Sequence, residues 1–456
     1  MTTEQFDLIV LGAGSAARDG AGKAKREYGA NVAMIERERW GGSCPNVACR
    51  PTKAYLIAAE LFHDIGHEAA KRGIDVSQPH VDMTRLREWK NSIRRDQQSW
   101  KEVLASQYAI AEGEATFVDE QTLRVGDRTL SAERILIATG GRTAVPPIPG
   151  IEDVDWIDHI SALELDRVPP SLLVIGAGPV GLEFAQIFGR FGSRVTIVNH
   201  GSQIAARSDT EAAEELQASL EEEGIEVVLP DGSVERFRRN ADAIEATISG
   251  GRTIEVSDVL LASGRVANTG ALGLDRIGVE ASPRGIVVDE HQRTSVDGIW
   301  AAGDCAVGPM FTPTAQYQAR IAVDEMFDGS RNADYSILPT AIFTDPELGS
   351  VGLTEKEARA EGHDVEVVKH PLSAVTRAQY FTSRHGLYKI VFDRATRKVL
   401  GVHVVARGAS DIVGSLALAL KLGVTVDDMA LVHHVYPSYS EGLKAAAEQA
   451  LAPVRV

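Results

Sequence analysis

The chain has 456 residues, 44% of them hydrophobic, with 42 glycines; that is too long for one ordinary core and reads as a loop-rich α/β enzyme of two or more domains. Its formal charge of −17 opposes nucleic acid or an anionic membrane as partner, and no apolar run reaches the roughly 18 residues of a membrane span. The opening "MTTEQFDLIV" lacks the parts of a secretory signal, so a cytoplasmic place is expected, and three cysteines there do not make a structural disulfide framework.

The first predicted unit is "FDLIVLGAGSAARDGAGKAKREYGANVAMIERE", an apolar run, a glycine turn, a helical stretch and a second apolar run ending at Glu36. This is strand, turn, helix, strand, the opening βαβ of a dinucleotide fold. Gly12 and Gly14 allow a tight turn and close backbone approach to a pyrophosphate, which then sits on the positive end of the helix. Ala17 fills the third position, an accepted variant. Glu36 closes the unit, where a carboxylate bonds ribose hydroxyls.

Next comes "GGSCPNVACRPTKAY", which holds Cys44 and Cys49. A close cysteine pair in the cytosol is either half a metal site or a redox dithiol. Zinc would want two more ligands at short spacing, and only Cys305 remains, so no metal site is expected and the redox reading is preferred. Pro45 suits the first turn of a helix beginning at the pair. Arg50, directly after Cys49, either favours thiolate or attracts an anionic substrate, or is a solvated flank residue. Trp40, just ahead of the glycines, reads as packing.

"RILIATGGRTAVPPIPG" is a strand running into glycine and proline punctuation, a domain-crossing signal. The plan of the first unit then repeats in "SLLVIGAGPVGLEFAQIFGRFGSRVTIVNH", with Gly176, Gly178 and Gly181 in the turn. Two such turns in one chain mean two bound dinucleotides. Here the closing position holds Asn199, followed by His200 and Arg207. Asn199 does not repel a 2′-phosphate and the basic groups can contact one, which tilts this site to NADPH, with NADH as the alternative. "VLLASGRVANTGALGLDRIGVE" carries the chain back, and "SVDGIWAAGDCAVGP" sets Asp304 just after a strand. From about Ser336 the composition changes. "YKIVFDRATRKVLGVHVVA" predicts a hairpin and "DIVGSLALALKLG" an amphipathic helix, an α+β domain.

In this order the pieces resemble the flavoprotein pyridine nucleotide-disulfide oxidoreductases, across nearly the whole chain. The motif "GGSCPNVACRPTK" is similar to the family's dithiol signature, and "ATGGR", "GRVANT", "AAGDC", "PTAIFTDPELGSVGLTEKEAR" and "YPSYSEGLKAAAE" match further stretches. The resemblance implies an α/β fold of two Rossmann-like dinucleotide-binding domains plus an α+β C-terminal dimerisation domain. The expected bounds are 1–148 with 266–335 for FAD, 149–265 for NAD(P) and 336–456 for the interface of a homodimer. It also implies that Cys49 lies against the flavin and Cys44 meets the substrate, that Lys53 sits near the flavin with Glu183 as its ion-pair partner, and that Asp304 bonds the ribityl chain. Further cofactor positions implied are Gly42, Ser43, Ala115, Thr139, Gly140 and Thr312, and Gly264 with the second glycine turn. Cys305 is expected to be a buried small residue nearby.

One family feature is missing. Disulfide reductases of this kind close on H-x-H-P-x-x-S-E, given by the partner subunit, whose second histidine moves a proton and whose glutamate holds the ring. Here His434-Val435-Tyr436-Pro437 leads to Glu441, so tyrosine stands in the histidine's place. A phenol titrates near 10 and an imidazole near about 6.5, which leaves Tyr436 poorly poised to take a proton. His434 or His433 replaces the base only if the loop shifts; the plainer reading is two interface residues. Mercuric reductases resemble this end, but carry a terminal cysteine pair where this sequence reads "LAPVRV". The expected function is an FAD- and NAD(P)H-dependent oxidoreductase passing electrons through Cys44–Cys49 to a disulfide, metal-ion or quinone acceptor. The alternatives are dihydrolipoyl dehydrogenase, a mercuric reductase-like enzyme, or a degenerate flavoprotein kept as a binding subunit.

Overall fold

The computed structural model describes residues 3–230, 232–240, 243–329, 331–382 and 385–451. The closing "APVRV" lies outside them. The chain divides into two compact units, Met1–Pro51 with Glu88–Ala144 and Gly264–Asp334, and Thr52–Arg87 with Val145–Ser263 and Tyr335–Val456.

The first unit is built on a five-stranded parallel sheet in the order Ile299–Ala301, Ile135–Ile137, Leu8–Leu11, Val32–Glu36, Ala109–Glu112. Leu8–Leu11 is buried at every position, as a strand covered on both faces must be. The helix Ser15–Tyr28 leaves this strand through the first glycine turn and packs on the helix Thr312–Phe327. Gly20 lets them close: a Cβ there would lie 2.8 Å from Leu136 and 3.5 Å from Ala319. A second, four-stranded sheet, Thr3–Phe6, Arg128–Ala132, Thr122–Val125, Ala115–Asp119, completes the unit.

The second unit repeats the plan. Its parallel sheet runs Glu226–Val228, Arg194–Val198, Ser171–Ile175, Asp258–Leu261, with the helix Pro179–Arg190 following the second glycine turn. A three-stranded antiparallel sheet over Val234–Asn240, Ala243–Ile248 and Thr253–Val256 flanks it. The predicted hairpin is present as Leu387–Asp393 against Val399–Ala406, inside a five-stranded antiparallel sheet. The predicted helix is Ala409–Lys421. Leu418, Leu422, Leu431 and Val435 of this α+β part are exposed. Among the described residues no helix is long and apolar enough to cross a membrane.

The parallel and antiparallel sheets of the second unit are tied through Lys389. Its side chain is 2% exposed and its ammonium lies 3.0 Å from Asp209, 2.8 Å from Glu211 and 2.9 Å from Glu355. Lys369 also meets Glu211 at 2.5 Å and Arg359 meets Glu355 at 2.8 Å. Three cations therefore face three carboxylates, and the group is neutral. Burial alone would push Lys389 down, but the three carboxylates outweigh it and hold the ammonium charged. Lys389→Met strands the carboxylates and is expected to cost roughly 3–5 kcal/mol in denaturant unfolding. The hydrogen bond from Lys389 holds Glu355 below its ordinary value of 4.5. Its contribution is complete above that value and lost as the pH falls through the lower folded one. The difference between wild type and K389M should therefore shrink in acid, and a pH-independent difference would contradict the network.

Candidate active site

The two glycine turns are forced by backbone contact. A Cβ at Gly12, where φ is +110°, would lie 2.4 Å from the Ala138 carbonyl oxygen. Gly176, with φ +107°, would put one 2.5 Å from the Ala262 carbonyl. Gly181 is locked tighter, 2.0 Å from the Gly176 carbonyl, whereas a Cβ at Gly178 or Gly264 would meet open space. Each turn thus presses its first glycine on the sheet and leaves bare backbone at the helix start, the arrangement that receives a pyrophosphate.

Glu36 is fixed by four backbone amides. One carboxylate oxygen accepts the Arg37, Glu38 and Arg39 amides at 3.0, 2.8 and 3.0 Å, and the other accepts Ala13 N–H at 2.9 Å. It lines a cavity of about 320 Å³ together with Gly12, Ala115, Thr139 and Asn268. Thr139 donates to the Asn268 carbonyl at 2.7 Å and Asn268 returns a bond to the Thr139 carbonyl at 3.1 Å, while Gly140, at φ +68°, accepts from Asn268 N–H. Ala17 is fully buried in the helix. Asp304 pairs with Arg265 at 2.9 Å, and the same guanidinium donates to the Gly141 carbonyl at 2.6 Å. Arg265 and Asn268 fell within the quoted "GRVANT" but were given no role; what reveals them is their distance from Gly141 and Thr139, which no spacing shows. This cradle, with a fixed carboxylate for ribose and bare glycine backbone for phosphate, fits FAD.

The dithiol loop rests on this cradle. A Cβ at Gly42, φ +76°, would lie 2.4 Å from Gly14 Cα. Ser43–Asn46 is a one-turn helix containing Pro45, and the long helix Cys49–His67 starts at the second cysteine rather than the first. Asn46 fastens the turn: it donates to the Trp40 and Gly42 carbonyls at 3.0 and 2.7 Å, and receives Arg94 and Gln97, each at 3.0 Å. Trp40 is 5% exposed and packs, donating to Glu112 at 2.9 Å. Neither Cys44 nor Cys49 is in a disulfide; Cys49 is exposed and lies 3.6 Å from the Thr312 hydroxyl. Thr312 opens its helix, so a positive helix end faces sulfur. The Cys44 thiol is pushed up by its hydrogen bond with Cys49 and then by burial, while Thr312 and Arg18 oppose this. Arg50 is exposed and donates to the Ile93 carbonyl at 3.1 Å. Cys305 is fully buried, its thiol bonded to the Ile137 and Ala302 carbonyls.

In the second unit Lys53 meets both oxygens of Glu183, at 2.8 and 2.7 Å, and lies 4.3 Å over the Phe343 ring. Phe343 N–H donates to the same carboxylate at 3.1 Å. Asn199 follows its strand, is tied by backbone to Val228 and Gly232, and leaves His200 and Arg207 exposed. In the closing segment Tyr436 is 70% exposed and, among the described residues, makes no hydrogen bond. Glu441 accepts Ser438 N–H at 2.8 Å. His434 is half-buried, and burial, then Lys444, push its imidazole down toward the neutral form; His433 is exposed. Among the described residues no group of three or more His, Cys, Asp or Glu could hold a metal ion. Glu36→Ala removes a charged acceptor of four amides and is expected to weaken FAD about ten- to a hundredfold, read from flavin retained after dialysis. Full retention would remove Glu36 from the cofactor site.

Comparison with known proteins gives the same grouping. The sequence model described as pyridine nucleotide-disulphide oxidoreductase matches residues 6–319, and that of the family's dimerisation domain matches 338–447. The mercuric reductase of Lysinibacillus sphaericus is 37% identical over 97% of this chain and 82% of its own length. The dihydrolipoyl dehydrogenase of Geobacillus stearothermophilus is 34% identical over 98% and 96%. Among solved structures, the Cu(II) complex of the HOCl-induced flavoprotein disulfide reductase RclA from Escherichia coli superposes with a TM-score of 0.86 at 29% identity, covering 98% of this chain and 100% of that one. The chain therefore belongs to the pyridine nucleotide-disulphide oxidoreductase family, as an oxidoreductase that binds FAD, uses NAD(P)H and carries the family's dimerisation domain.

Proposed function

We propose that this chain takes an electron pair from NAD(P)H through FAD into a Cys44–Cys49 disulfide and passes it to a thiophilic acceptor, an activated disulfide or a soft metal ion, that needs little proton delivery from the enzyme. The observation that carries this is the pair itself: two reduced thiols sharing a hydrogen bond, in a turn fastened to the first glycine loop. FAD, held at the first glycine turn by Gly12, Glu36 and Thr139, would supply the two-electron exchange between the nicotinamide and the dithiol. Cys49, beside Thr312, is the sulfur assigned to the flavin side, and Cys44 the one that meets the acceptor. Opening the disulfide consumes two electrons and one proton when one sulfur stays a thiolate, and handing the pair on restores the S–S bond.

Lys53 and Glu183 form the ion pair assigned to the nicotinamide and flavin side, with Glu183 fixing the ammonium through both oxygens. Asn199, with His200 and Arg207, supports NADPH over NADH. The exposed leucines of the α+β part support a homodimer. Tyr436 at the base position, exposed and without a hydrogen bond, speaks against lipoyl chemistry that returns a proton with every turnover. The names of the relatives, mercuric reductase and a Cu(II) complex of RclA, agree with a thiophilic acceptor.

The test is anaerobic titration with NADPH and NADH, followed by turnover with an aryl disulfide, Hg(II) and a benzoquinone. Cys44→Ser should lose disulfide and metal turnover by at least about a hundredfold while NADPH still bleaches the flavin. Retained turnover in that variant would sink the relay and leave direct quinone reduction at the flavin.

A further inference from the structure

Arg18 sits one helical turn beyond Gly14, its amide donating to the Gly14 carbonyl at 2.9 Å. Gly14 is also where the dithiol loop touches the helix, through Gly42. The Arg18 guanidinium lies 4.5 Å over the ring of Trp100, and that ring backs directly on Gly41, where a Cβ would come within 2.7 Å of it. Arg95 covers the same ring at 4.9 Å. Trp100 is thus a plate between two guanidinium groups and the backbone that enters the Cys44 turn, and a planar cation is held well on such a plate.

No carboxylate forms an ion pair with Arg18 among the described residues. Its neighbour Asp19 is taken by Arg320, at 2.5 and 3.1 Å. Among the described residues the buried Nε of Arg18 has no hydrogen-bond partner. A half-buried guanidinium without a carboxylate needs an anion elsewhere. Burial pushes Arg18 down from the guanidinium range and Arg95 adds to that, while Cys44 first and then Asp19 hold it up. The groups acting most strongly on Cys44 are Cys49 from its own dithiol, Thr312 from the helix Thr312–Phe327 and Arg18 from the helix Ser15–Tyr28.

We propose that Arg18, braced by Trp100, is the fixed positive charge that eases ionisation of the Cys44 sulfur against its burial and its hydrogen bond with Cys49, a positioning role that partly offsets the proton acceptor missing at Tyr436. The inference rests on the reading of Cys44 as the thiol that meets the acceptor. A guanidinium takes no proton, but it lowers the cost of leaving sulfur charged after the disulfide opens.

The experiment uses FAD-loaded protein reduced with dithiothreitol. The pH dependence of Cys44 carboxamidomethylation by iodoacetamide is followed by peptide mass, for wild type, Arg18→Met, Arg18→Gln and Arg18→Lys. Losing the positive charge disfavours thiolate, so the midpoint should move up by about one pH unit in the neutral variants, with Arg18→Lys recovering most of it and FAD content unchanged. Arg18→Gln serves if the methionine variant does not fold. An unmoved midpoint in a neutral variant overturns the proposal, as does loss of FAD with the midpoint in place, which would make Arg18 a cofactor ligand. Acceptor turnover surviving in Cys44→Ser would instead strike the reading of Cys44, and the alkylation profile would still report Arg18.

Discussion

Gly42 and Gly14 touch so closely that a single Cβ would lie 2.4 Å from the facing Cα. Everything the site does depends on that backbone contact. It sets the entrance of the dithiol turn on the cradle that Gly12, Glu36 and Thr139 form, and side chains cannot be interposed. Asn46, Arg94 and Gln97 then hold the turn from its other side with three 3.0 Å bonds and one of 2.7 Å. A loop so fastened is held in one arrangement before any ligand arrives.

The electrostatics follow from the same packing. The Cys44 sulfur is kept from ionising by its hydrogen bond with Cys49 and by burial, and is relieved by Thr312 and the guanidinium of Arg18. None of these is an imidazole that itself titrates near neutrality. Lys53, by contrast, is matched by a carboxylate that is 6% exposed and gripped from two sides, by the ammonium and by Phe343 N–H. One region leaves a positive charge without a carboxylate partner among the described residues, and the other neutralises it.

The sequence revealed the parts whose chemistry is local. Gly12, Gly14, Gly176 and Gly181 stand at fixed intervals between an apolar run and a helix, and steric contact leaves few alternatives to glycine at the first of each set. Glu36 announced itself as the acidic end of a strand, and the hairpin after Tyr388 as two apolar runs around a turn. What stayed hidden was contact between distant segments. Arg265 meets Asp304 across 39 positions and Trp100 meets Arg18 across 82, and nothing in either neighbourhood marks the partner. The ribityl role implied for Asp304 carries no sign of the arginine that meets it. The helix of the dithiol starts at Cys49 because Cys44 and Pro45 occupy a turn of their own, which helix-start signals alone do not separate.

The neutral cluster around Lys389 bears on how such a chain diverges. Its members come from four separate stretches, around positions 209–211, 355–359, 369 and 389. Replacing any one of the buried members leaves a charge stranded in a dry interior, so single steps away from the set are closed. Substitutions there must arrive together, and a descendant keeps the cluster whole or exchanges it for apolar packing in one block. The joint between the nucleotide-binding sheet and the α+β sheet is for that reason costly to change one residue at a time.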